Sequence, residues 1–429
     1  MLRAILCVLG VLFFVAAGAR AEPKVKFGID VLDARGFDVI KGKRVGLVVH
    51  PASVNASLRR TLDVLRGAEG VNLVALFGPE HGVYGDVYAG DKIADSADPR
   101  TGLPAYSLYG KTRKPTAEML AGVDVMVFDL QDIGARSYTF ISTMKAVMEA
   151  CAEHDKELVI LDRPNPLGGL RVEGPPTVEK GLESFVSYLD VPYVHGMTMG
   201  ELAKLVQSTA FPKYGKLTVI PMEGWTRDML WPDTGLTWVP TSPHIESFES
   251  AVGYSAVGFI GELLVISNGV GYTQPFQVVG APWIDGDALA EALNTSYSSP
   301  RGKYLALTEK RNELSIQTSA VGIYFRPIRF RPFFATFKEQ VCQGVQVHID
   351  PRTADNLVEI NFRVLQAVGA DKLFADAKED RHKMFDKVSG SSEPRQVLSQ
   401  GTDPAEMFEK WRRGCLEFIN ARKPYLLYP

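Results

Sequence analysis

Glu80 and His81 stand side by side between Pro79 and Gly82, in the stretch LVALFGPEHGVYG at 73–85. A carboxyl group beside an imidazole is a pairing that general acid–base chemistry uses. Three other places share its setting. His50 follows the apolar run RVGLVV at 44–49, Asp129, Gln131 and Asp132 end the run beginning at Val123, and Asp162, Arg163 and Asn165 follow ELVIL at 157–161. Cleaving a glycosidic bond requires a carboxylic acid that protonates the leaving oxygen and a second group across the sugar. Glu80 suits the acid role if its pocket is apolar, and Phe77 and Pro79 are near it in sequence. His81 is placed to bond to that acid, to hold a water or to shape the turn. Asp129 and Asp162 are further carboxylates for base, nucleophile or orienting roles. Arg136 and Arg163 offer forked donors for a substrate carboxylate, and His50, Gln131, Tyr138, Asn165 and His195 complete the substrate-binding set.

Each group also has an ordinary use. Glu80 and His81 suit a solvated loop, Asp162 and Arg163 an ion pair that holds their own loop, and Arg136 a loop arginine in water. Two other function classes draw on the same residues. His50, His81, Asp129 and Asp162 are ligand types for a divalent metal that hydrolyses phosphate or amide bonds, although no H-E-x-x-H or similarly close spacing supports it. A secreted sugar-binding module without catalysis needs the same cleft.

The elements that must position these residues are strands alternating with helices. The apolar run at 73–77 reads as a strand buried on both faces, runs at 44–50, 123–130, 157–162 and 216–222 read as further strands, and 106–109 is a weaker strand signal. Gly78-Pro79 ends the run at 73–77 abruptly. Leu58, Leu62 and Leu65 recur at helical spacing, a short helix opens near Thr116, and Ile141, Met144, Val147, Met148 and Cys151 share one helical face. Thr198 and Glu201 form a capping box, which assigns Glu201 to the helix start. The alternation predicts an α/β fold with a Rossmann-like, mostly parallel sheet and helices on both faces. The four polar strand endings then fall at one sheet edge, where open α/β sheets bind ligands. No G-x-G-x-x-G follows the first strand, and no cofactor is expected. Trp225, Trp231 and Trp238 lie in an irregular stretch that is either a sugar-stacking wall or a packed linker. Beyond it, strands at 321–326 and 344–349, a helix over 353–368 and a last helix from Asp403 read as a smaller α+β domain. The expected division is 1–21, 22–240 and 241–429.

Residues 1–21 read as a secretory signal peptide, with Arg3, an apolar run and Ala19-Arg20-Ala21 before the cut. The mature chain is therefore expected in the periplasm or the medium, with no later segment apolar enough to span a bilayer. Losing Arg3 and Arg20 takes the formal charge from -3 to -5, without basic blocks, so no nucleic-acid partner is indicated. The mature cysteines, Cys151, Cys342 and Cys415, make no metal motif. Cys342 and Cys415 either pair or remain buried thiols.

The motifs FGPEHGVYGDVYAGD (77–91), TGLPAYSLYGKTRKPTAEML (101–120), DVMVFDLQDIGARSYTFISTM (124–144) and VILDRPNPLGG (159–169) resemble those of the NamZ (YbbC-like) exo-β-N-acetylmuramidases. So do VHGMTMGELA (194–203), PFQVVGAPW (275–283), FKEQVCQGVQVH (337–348) and KPYLLYP (423–429), so the resemblance spans the mature chain. It implies a glycoside hydrolase that removes N-acetylmuramic acid from the non-reducing end of peptidoglycan fragments. It also implies a Rossmann-like domain with a smaller C-terminal domain over the cleft, and the catalytic glutamate of PEHG falls on Glu80. The lactyl carboxylate of muramic acid gives Arg136 or Arg163 a ligand. The second catalytic group is left among Asp129, Asp162, a water held by His81 and the substrate's acetamido group. Two departures bear on the substrate: His50 replaces the family's usual Asn, and the family's S-E-G-R-G falls on 267–271, where this chain has Asn268 and Val270.

Overall fold

The computed structural model describes residues 23–298, 304–305, 316–317 and 322–429, and the expected signal peptide at 1–21 lies outside them. Seven strands build the main sheet: β1 (Arg44–Val49), β2 (Asn72–Gly78), β3 (Ser96–Ala97), β4 (Pro104–Ser107), β5 (Val125–Asp129), β6 (Glu157–Leu161) and β7 (Leu217–Ile220). Their order is β3-β4-β2-β1-β5-β6-β7, and all neighbours are parallel except β3 with β4. From β1 the chain moves outward to β2 and β4, then returns to the other side of β1 as β5. The switch in direction therefore lies between β1 and β5, and it opens a crevice at the carboxyl ends of those strands.

The near-continuous apolar strands follow from burial on both faces. Val45, Leu47, Val49, Val127, Val159 and Leu161 pack under α1 (Gly28–Ala34) and α2 (Thr61–Gly67). Their alternates Val48, Phe77, Met126, Phe128, Leu158 and Ile160 face the opposite layer. That layer follows α3 (Ala117–Leu120) in the chain and consists of α4 (Phe140–Glu153) and α5 (Met199–Ala210). Gly28 starts α1 hard against the sheet, where a Cβ would lie 2.5 Å from the Asp162 nitrogen. Thr198 and Glu201 cap α5 reciprocally, as their spacing predicts. Trp225 and Trp231 are core residues of the first layer, so the irregular tryptophan stretch is packed structure and no sugar-stacking wall.

The second half opens with α6 (Phe248–Gly261), followed by β8 (Val278–Ala281) and α7 (Gly286–Ser298). A short antiparallel pair, β9 (Tyr304–Leu305) with β10 (Ile316–Gln317), precedes β11 (Ile323–Phe330) and β12 (Cys342–Ile349). Strands β11, β12 and β8 form an antiparallel sheet. The remaining helices are α8 (Leu357–Val368), α9 (Ala370–Asp376), α10 (Glu379–Ser389), α11 (Glu393–Ser399) and α12 (Ala405–Ala421). Helix α8 starts four residues later than its periodicity predicts. Helix α6 is buried all round, and residues of both halves share one continuous core with it. Cys151, Cys342 and Cys415 are buried free thiols, so Cys342 and Cys415 do not pair. Among the described residues no helix is long and apolar enough to cross a membrane.

Candidate active site

A cleft of about 920 Å³ opens at the carboxyl edge of the main sheet, between its loops, α6 and the β11–β12 connection. Glu80 lies in its wall. Strand β2 must end at Gly78, where a Cβ would lie 2.9 Å from the Val83 nitrogen. The Gly82 N–H then donates to the Pro79 carbonyl at 2.9 Å, closing the turn. His81 adopts φ +70, in the left-handed region that non-glycine residues seldom occupy. Its Nδ1 lies 2.8 Å from the Val87 carbonyl, which ties the turn to the following loop. The Glu80 carboxyl accepts a hydrogen bond from Thr139 Oγ1 at 2.7 Å and another from the Gly90 N–H at 3.0 Å. The hydroxyl of Tyr109, also in the cleft wall, stands within hydrogen-bonding reach of Glu80, and burial beside that carboxylate pushes the phenol up to about 12.

Tyr138 shares the cleft, with its hydroxyl donating to Thr241 Oγ1 at 2.9 Å. The other expected site residues lie behind the wall. Asp129 is fully buried and accepts from Arg163 Nε at 2.5 Å, Arg163 Nη2 at 3.0 Å and Thr61 Oγ1 at 2.5 Å. This corrects two expectations at once, because Asp129 and Arg163 are buried outside the cleft lining, and the Nε–Nη2 edge of Arg163 is already engaged with the Asp129 carboxylate. The ion pair expected between Asp162 and Arg163 is instead Asp129 with Arg163. Asp162 accepts from Thr198 Oγ1 (2.7 Å), Gly200 N (2.7 Å), Arg163 N (3.0 Å) and Tyr428 Oη (2.5 Å). Burial pushes it up to about 6 despite those donors. It is a structural hub outside the cleft lining.

Arg136 is fully buried outside the cleft lining and donates to the carbonyls of Val191 (2.7 Å), Pro175 (3.2 Å) and Ser389. Asn165 bonds to Met197 O and Leu167 N, and Gln131 donates to the Asp132 and Pro164 carbonyls. His195 Nε2 lies 3.4 Å from Asp132 Oδ2 in a buried pair. His50 is buried behind the cleft, and its Nε2 accepts the Gln131 N–H at 2.9 Å, which assigns the proton to Nδ1. Burial, with Arg163 and His81 adding to it, holds this imidazole well below its ordinary value, so it is neutral. Of the eleven side chains singled out in the sequence, Glu80, His81 and Tyr138 line the cleft.

The family model for the N-terminal domain of the exo-β-N-acetylmuramidase NamZ matches residues 45–249, and that for its C-terminal domain matches 252–428. The chain belongs to the NamZ family. It is 39% identical over 407 residues to the peptidoglycan β-N-acetylmuramidase NamZ of Bacillus subtilis (strain 168), covering 95% of this chain and 92% of that one. Two crystal structures of DUF1343 family proteins from Bacteroides fragilis NCTC 9343 share the fold. One has a TM-score of 0.84 at 44% identity, over 95% of this chain and 99% of its own. The other has a TM-score of 0.70 at 26% identity, over 94% and 99%. The protein is thus a glycoside hydrolase by descent.

Within this NamZ-family cleft the structure adds residues that the sequence did not single out. Glu262, at the end of α6, is the second carboxyl in the lining, and it has no hydrogen-bond partner among the described residues. Its surroundings push it up to about 7, chiefly by burial, against the pull of Arg381. Ser137, Tyr254, His244, Phe333 and Phe334 also face the cavity; Asn268 and Val270, which the sequence did mark as departures from the family's S-E-G-R-G, line it too. Tyr109 ends a strand at the same edge as the residues chosen from sequence, so its signal was present. The four groups of the metal reading do not converge, since Asp129 and Asp162 are engaged behind the wall. Among the described residues, no three His, Cys, Asp or Glu side chains stand where they could share an ion.

Proposed function

We propose that the protein is an exo-acting β-N-acetylmuramidase that releases N-acetylmuramic acid from the non-reducing end of peptidoglycan fragments. Glu80 is its general acid. The observation that carries this reading is a carboxyl group held at the wall of the cleft by Thr139 Oγ1 and the Gly90 N–H, in a chain of the NamZ family. Glu80 gives its proton to the glycosidic oxygen as the bond to C1 breaks. Glu262 replaces Asp129 and Asp162 as the second carboxyl, acting in its ionised form on the water or on the acetamido N–H that assists attack at C1. The leader at 1–21 directs this activity outside the cytoplasm.

The test is release of the aglycone from a chromogenic β-N-acetylmuramide by the mature chain, with the N-acetylglucosaminide alongside. Turnover of the muramide, lowered about 100- to 10,000-fold in Glu80→Gln, is the expected result. Saccharide binding without any released product would replace the hydrolase by a sugar-binding module.

A further inference from the structure

An anion that enters a cleft away from bulk water must meet a compensating charge. The described residues that line this cleft include two carboxyls, Glu80 and Glu262, and no lysine or arginine. A candidate cation stands at the rim. Arg113 is exposed, and its guanidinium carbon lies 4.2 Å from the ring centroid of Tyr109 and 4.4 Å from that of Phe185. Tyr109 lines the cleft, and Val186, next in sequence to Phe185, lines it too. The Tyr109 hydroxyl is within reach of both Glu80 and Arg113, so a single ring separates the cation from the general acid.

Arg113 differs from its neighbours. Lys114 is bound to Glu149 and Glu153 at 2.9 Å each, whereas Arg113 has no carboxylate partner among the described residues. A guanidinium packed over aromatic faces keeps its N–H edge open for a planar, forked acceptor. N-Acetylmuramic acid differs from N-acetylglucosamine by a lactyl ether that ends in such an acceptor. We propose that Arg113, seated on Tyr109 and Phe185 at the cleft rim, pairs with the lactyl carboxylate and selects muramic acid over N-acetylglucosamine. This inference rests on the muramidase reading for the identity of the sugar, and it assigns the carboxylate to a residue other than Arg136 or Arg163.

The test is equilibrium binding of free N-acetylmuramic acid and of N-acetylglucosamine to the full mature chain, to Arg113→Gln and to Arg113→Lys. Arg113→Gln should weaken the muramic acid about 10- to 100-fold, the worth of a charge-assisted pair, and leave N-acetylglucosamine unchanged. Arg113→Lys should recover part of the loss. On the chromogenic muramide the same variant should raise KM and keep kcat. An equal loss for both sugars would mean that Arg113 only packs the rim, and no loss for muramic acid, or no binding of it by the intact chain, would likewise overturn the proposal. The selective loss in a chain that releases no aglycone would retain the pairing and remove the hydrolase reading instead.

Discussion

At the scale of single residues, the molecule separates carboxylates that face solvent-filled space from carboxylates that hold the scaffold. Glu80 and Asp129 both end strands of one sheet and look alike in sequence. Glu80 borders the cleft with two donors, while Asp129 is enclosed by a bidentate arginine and a threonine. The two should therefore respond differently to substitution. Glu80→Gln keeps the shape and removes the acid, so activity falls while the denaturation midpoint stays near that of the parent. Asp129→Ala leaves the Arg163 cation buried without its partner, and breaking such a pair costs about 3–5 kcal/mol. Denaturant unfolding of the purified variants distinguishes these outcomes. Loss of turnover in Asp129→Ala with unchanged stability would return Asp129 to the chemistry.

At the scale of elements, legibility followed periodicity. Strands β1, β2, β5 and β6 were readable because two buried faces make unbroken apolar runs, and their common parallel direction brings their polar endings to one edge. Which endings reach the cavity was not readable, because enclosure of Asp129 by Arg163 and Thr61 depends on the crossover from β4 back to β5. Helix α6 escaped the sequence reading for a related reason. It is buried all round, so it has no polar stripe, and Gly253 and Gly258 interrupt it. Gly253 is required there, since a Cβ would lie 2.0 Å from the Phe276 carbonyl. With α6 unread, Glu262 at its end was missed as well.

Glu262 makes a prediction of its own. Its pKa is raised from an ordinary 4.5 to about 7 in the folded chain, so between these values the native state holds the proton more tightly than the unfolded chain does. Stability therefore falls as pH rises through this window, and the cost is complete above about pH 7. Glu262→Gln removes the charge. Its melting temperature should exceed the parent's at pH 8 and match it near pH 4.5. Activity should behave oppositely: the parent's kcat rises as Glu262 ionises, and the variant loses that rise. A site that gives up stability for function has this signature. A variant less stable than the parent at pH 8 would assign Glu262 to the scaffold.

At the scale of the whole molecule, the last residues of the chain lock the loops behind the cleft. Arg422 is fully buried and donates to the carbonyls of His195, Gly196 and Gly169. The Leu427 N–H donates to Glu201 at 2.9 Å, and the Arg227 N–H donates to the Pro429 carbonyl at 2.9 Å. Tyr428 is the centre of this closure, because its hydroxyl accepts from the Met222 N–H at 2.9 Å and donates to Asp162 at 2.5 Å. Asp162 also holds the start of α5, so one carboxyl joins the sheet edge, a helix and the terminus.

The hydroxyl favours the ionised carboxyl, yet burial still raises Asp162 from 3.8 to about 6. Stability contributed by Asp162 thus declines as pH rises from about 4 through about 6, and the Tyr428 bond limits that decline. Tyr428→Phe should destabilise by about 1–3 kcal/mol, the cost of leaving buried polar groups unpaired. The loss should be larger at pH 8, where the folded carboxylate has lost its donor, than at pH 4, where folded parent and folded variant both hold the acid protonated. Only the orphaned Met222 N–H contributes equally at both. Because Asp162 lies outside the cleft lining, kcat on the muramide should be kept. Denaturant midpoints at the two pH values decide it: a pH-independent loss would assign the effect to Met222 and to packing against Trp225, whose ring meets Tyr428 edge-on at 5.1 Å.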